Sequence, residues 1–78
     1  MARLESLDEW ELWGHTDQFG NVAQRISTYA VHVDAAESER GIILFQFVRV
    51  DEQWLIQSMI WQTESDDLAI PSHYLGDY

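Results

Sequence analysis

His15-x-Asp17 is the pattern in this chain best suited to moving a proton. Residues two apart on a strand point the same way, so a carboxylate beside the imidazole would orient it as a base. His32 lies near Asp34 with the same possibility, and His73 reads as a packing or surface residue of the tail. Turn residues also produce such neighbours without function, so His15, Asp17 and His32 are catalytic candidates weighed against a plain structural origin. No histidine pair has the i, i+4 helical spacing of a zinc site, and there is no cysteine, so no metal and no cofactor are expected. The chain carries no Gly-rich phosphate loop, nucleophile elbow or triad motif.

Arg25 is a charge inside an otherwise apolar strand. It would either hold a polar group of a ligand or pair with an acid of a neighbouring strand or subunit. With fourteen acids in the chain, the ion pair is the favoured reading. Tyr29, Phe45, Phe47, Trp54 and Trp61 join Arg25 as candidate ligand-binding residues, with Trp10 and Trp13 completing a set rich in aromatics. Large aromatics serve cores and protein interfaces as well as ligand pockets, and the first use is favoured here. Gln24, Gln46 and Gln57 fall on central strands, where a buried carboxamide must find a partner.

These residues sit on long β-type segments rich in branched and aromatic side chains. Trp10–Thr16 reads as a first strand interrupted by Gly14, and Gly20-Asn21 as a hairpin corner. Asn21–Val33, Gly41–Val50 and Trp54–Thr63 read as three more strands, the last two joined through Asp51-Glu52-Gln53. Residues 3–9 suggest one helical turn, 34–40 a polar connection, and 64–78 an acidic tail that runs extended around Pro71. Strict alternation puts Val22, Gln24, Ile26, Thr28, Ala30 and His32 on one face of the second strand. It sets Ile43, Phe45 and Phe47 against Ile42, Leu44, Val48 and Val50 in the third. In the fourth, Leu55, Met59 and Trp61 oppose Trp54, Ile56 and Ile60. Neither face is free of large apolar groups, and leaving one such side chain wet forgoes roughly 1.5–3 kcal/mol.

The order GNVAQRISTYAVH, GIILFQFVRVDEQWLIQSMIWQTE and IPSHYL, spanning residues 14–75 with its flanks, resembles the C-terminal half of the nuclear transport factor 2-like superfamily. That superfamily includes SnoaL-like and ketosteroid-isomerase-like α+β cones. The resemblance implies a curved sheet that members commonly use to dimerise, with the helical half of the cone missing. Arg25, Ile26 and Ala30 depart from the usual wording, so the family's pocket chemistry does not carry over to them.

At 78 residues the chain is expected to form one domain: an N-terminal segment 1–9, a sheet 10–63 and a tail 64–78. A fold of this size buries only about 60% of its unfolded surface. Without cysteine, oligomerisation is the remaining supplement. The net charge of -10, with four arginines and no lysine, argues against binding nucleic acid or anionic membranes. With no apolar run suited to a signal or a membrane span, a cytoplasmic location is expected. The expected architecture is a mostly β, four-stranded, twisted antiparallel meander with little helix, a cone cut down to its sheet. The expected function is a non-catalytic module that forms a homodimer or higher homo-oligomer and binds a small apolar ligand or a basic protein. Two alternatives stand beside it. One is an isomerase- or hydratase-like enzyme whose pocket a partner subunit completes. The other is an acidic inhibitor that mimics nucleic acid.

Overall fold

The computed structural model describes residues 7–33 and 37–76. Strand β1 runs Leu7–Phe19, β2 Val22–Val33, β3 Glu37–Val50 and β4 Gln53–Thr63. They form one antiparallel sheet in the order β1-β2-β3-β4, the expected meander. Among the described residues β1 and β4 do not pair, so the sheet is not closed. The molecule is thin, 42 × 39 × 18 Å. Its radius of gyration is 14.9 Å, against about 11.5 Å for a compact chain of this length.

Several boundaries differ from expectation. Residues 7–9, expected in a helical turn, continue β1, and residues 37–40 of the polar connection begin β3. Polar residues enter these strands because each gains a ladder of backbone hydrogen bonds from β2, which outweighs weak local propensity. The remainder of both segments lies outside the described residues. After an extended Pro71 the tail turns into a short 3-10 segment, Ser72–Leu75, instead of running on extended. That segment lies back on the sheet: the Thr28 hydroxyl donates to the Tyr74 carbonyl at 2.5 Å, and the Trp13 and Tyr74 rings lie 5.7 Å apart.

Two bulges correct the strict alternation. Leu12 is an extra residue in β1, so Trp10 and Trp13 share a face. Gln57 is an extra residue in β4, between the pairs Gln46↔Ser58 and Phe47↔Ile56. A bulge changes which side the following residues face. Trp54, Ile56, Met59 and Trp61 therefore stand together, and Leu55, Ser58 and Ile60 stand on the other side.

Two strand glycines make room for large neighbours. A Cβ at Gly14 would lie 2.6 Å from Arg25 Cζ and 2.7 Å from Glu11 Oε1. A Cβ at Gly41 would lie 2.5 Å from Tyr29 Oη and 2.7 Å from its Cε1. Each glycine lets the opposite side chain lie flat on the strand. Among the described residues the buried centre is small, comprising Ser27, Thr28, Tyr29, Ala30 and Gly41. It sits where the tail covers one side and the Tyr29 ring and the Arg25–Glu11 pair cover the other.

Candidate functional site

The register sorts the candidates by face. His15, Asp17 and His32 all lie on the side that carries the tail, which we call the tail face. Arg25, Tyr29, Phe45, Phe47, Trp54 and Trp61 all lie on the opposite face. Sequence alternation within single strands could not unite Trp54 with Trp61, because the bulge at Gln57 intervenes.

On the tail face, beyond the tail, one polar row crosses the whole sheet: Asp17↔Gln24↔Gln46↔Ser58. Gln24 Nε2 donates to Asp17 Oδ2 at 3.4 Å, and Ser58 Oγ donates to Gln46 Oε1 at 2.8 Å. His15 Nε2 lies 3.0 Å from Asp17 Oδ1. Hydrogen bonds from His15 and then Gln24, with the attraction of the imidazole charge, hold the Asp17 carboxyl below its ordinary value. Apolar rows flank the polar one, His15↔Ile26↔Leu44↔Ile60 on one side and Phe19↔Val22↔Val48↔Leu55 on the other. The polar row and the row through His15, Ile26, Leu44 and Ile60 line a trough of about 340 Å³, which Arg25 and Phe45 also border, within the range of small-molecule sites. Among the described residues nothing donates to Gln24 Oε1, and Gln46 Nε2 donates to nothing.

The expected His15–Asp17 dyad therefore forms, but in the open: its side chains are 58% and 63% exposed. His32 stands at the far end of β2, its ring edge-on to Trp10 at 5.0 Å, and Asp34 lies outside the described residues. His73 packs on Tyr74 at 4.0 Å between ring centres. Among the described residues no group of histidines and acids could hold a metal ion.

On the opposite face, Arg25 makes the ion pair favoured from sequence. Its Nε donates to Glu11 Oε2 at 3.1 Å, its Nη2 meets Glu11 Oε1, and its Nη1 donates to Thr16 Oγ1 at 2.6 Å. Ser27 Oγ also donates to Glu11, at 2.6 Å. The guanidinium, then Ser27, hold the Glu11 carboxyl below its usual range against a small cost of burial, and Glu11 raises Arg25 further. Arg25, which also borders the trough, thus spends its donors on Glu11 and Thr16 within the sheet. Tyr29 Oη meets Thr63 Oγ1 at 3.2 Å beyond Gly41. The β3–β4 half of this face is an unbroken apolar field: Ile43↔Trp61, Phe45↔Met59 and Phe47↔Ile56. The Phe45 and Phe47 rings stack at 5.6 Å, and Arg49 lies over Trp54 at 5.4 Å. Ile56 and Trp61 remain 60% and 62% exposed.

The polar row was within reach of sequence reasoning only in part. A two-residue corner at Gly20-Asn21 pairs Asp17 with Gln24, but Ser58 is placed opposite Gln46 by the bulge, which no turn residue announces. No helix among the described residues is long and apolar enough to cross a membrane. No family model, curated protein or solved structure matches the chain.

Proposed function

We propose that this chain is a non-catalytic binding module that works as a homodimer. A second copy covers the β3–β4 field, and the trough on the tail face holds a small molecule. The exposed area carries this reading. The chain exposes 6290 Å², while a folded monomer of 9.1 kDa exposes about 4,900 Å². The excess, about 1,400 Å², falls in the range of roughly 1,000–2,500 Å² that each partner of an obligate homodimer hides. The field itself is apolar, bordered by Glu9 and by the internally neutralised Arg25–Glu11 pair. Two sheets can stack through such faces about 10 Å apart. The resemblance to cones that pair through their sheets points the same way.

The openness of the His15–Asp17 dyad favours binding over catalysis, since tuning a proton-transfer group depends on excluding water. Several of the described acids are tied up locally. Glu11 and Glu64 pair with arginines, Asp17 with a histidine, and Asp51 and Glu52 occupy a turn.

The test is an isotope-filtered NMR measurement on a mixture of labelled and unlabelled chains. Contacts between the Met59 methyl of one copy and the Phe45 or Trp61 ring of the other are expected. Their absence at millimolar concentration would refute the pairing.

A further inference from the structure

We infer that the trough takes a neutral, largely apolar ligand that presents a hydrogen-bond donor and an acceptor side by side, such as a primary carboxamide or a lactam. This rests on the trough being the binding site. Gln24 and Gln46 are directly opposed on neighbouring strands. Each has one half of its carboxamide occupied, Gln24 by donating to Asp17 and Gln46 by accepting from Ser58. What remains is an acceptor, Gln24 Oε1, and a donor, Gln46 Nε2, on directly paired residues. An amide group answers both at once, its N–H donating to Gln24 and its carbonyl accepting from Gln46.

The neighbours fix the oxygen and nitrogen ends. Asp17 accepts, so Gln24 turns its nitrogen toward it and keeps its oxygen for another partner. Ser58 donates, so Gln46 turns its oxygen toward it and keeps its nitrogen for another partner. Ile26, Leu44 and Ile60, with Phe45, supply the apolar wall of the trough. Ile60 is 64% exposed without an occupant. Charge selects against anions. Asp17 lies at the end of the row and holds His15, while Arg25 is committed to Glu11, Arg40 to Glu64 and Arg49 to Asn21. A site built to bond a donor and an acceptor rejects analogues that lack one, because its own group is then left unpaired.

The experiment titrates the full isotope-labelled chain with benzamide, N,N-dimethylbenzamide and benzoate, following the side-chain amide signals of Gln24 and Gln46. Benzamide is expected to shift both signals and to bind about tenfold more tightly than either analogue. In Gln46→Leu, an exposed position whose fold the same spectra report, that preference should vanish while weak apolar binding persists. Equal binding of benzamide and its dimethyl analogue in the trough would overturn the ligand class and leave the trough intact. No shift at any trough residue with any probe would overturn both. Sedimentation of the same samples reports the dimer independently.

Discussion

The Tyr29 ring lies across Gly41 on the neighbouring strand and reaches Thr63 on the next, tying β2 to β4 over a residue without a side chain. The space above Gly41 is filled by the ring, so a side chain there must displace it. Gly41→Val is expected to destabilise the fold by roughly 1–3 kcal/mol through overpacking. Urea denaturation measures this, and a change under about 0.5 kcal/mol would show that the ring does not need that space.

Glu11 and Arg25 occupy the corresponding place over Gly14. Glu11 has a depressed pKa in the fold. Its contribution is therefore fully present above the ordinary carboxylate pKa and is lost as pH falls through the depressed one. Both side chains are partly exposed, which limits the pair to about 1 kcal/mol. Glu11→Gln should be less stable than the parent near neutral pH and equal to it in strong acid. Denaturation curves across that acidic range check the convergence.

At the β3–β4 corner, Asp51 and Glu52 both adopt positive φ, 51° and 67°. That is the backbone of a two-residue hairpin turn that favours Asn-Gly. Glu52→Gly removes a side chain from the left-handed region and should raise stability by roughly 0.5–1 kcal/mol. A thermal melt that moves down would contradict this reading of the turn.

The proposed interface makes a prediction specific to one face. Met59→Glu would bury a charge against Phe45 of the field and should weaken association at least about 100-fold. Ile60→Glu, next in sequence but on the tail face, should leave association unchanged. Since each copy carries a net charge of -10, added salt should strengthen the dimer by screening repulsion, not weaken it. Size-exclusion chromatography over a concentration and salt series reads all three.

The strands were readable because β-branched and aromatic runs separated by turn formers leave few other structures open to Asn21–Val33, Gly41–Val50 and Trp54–Thr63. The Gly20-Asn21 corner was readable for the same local reason. The ends of β1 and β3 were not, since Leu7–Glu9 and Glu37–Arg40 are strand only because β2 lies beside them. The faces of β4 were misread because a bulge is set by the pairing of two strands and leaves no mark within one. Arg25 carried a signal, a charge amid apolar residues, and its partner Glu11 became identifiable only with the β1–β2 register. The trough needed every register at once, which is why Ser58 stayed silent until the strands were aligned.

Sedimentation equilibrium of the full chain at micromolar concentration bears most directly on the claim that a second copy covers the β3–β4 field. The expected result is a species of twice the 9.1 kDa chain mass, shifted toward the single chain by Met59→Glu but not by Ile60→Glu. A cooperatively folded species of 9.1 kDa that persists unchanged as concentration and salt rise would contradict it.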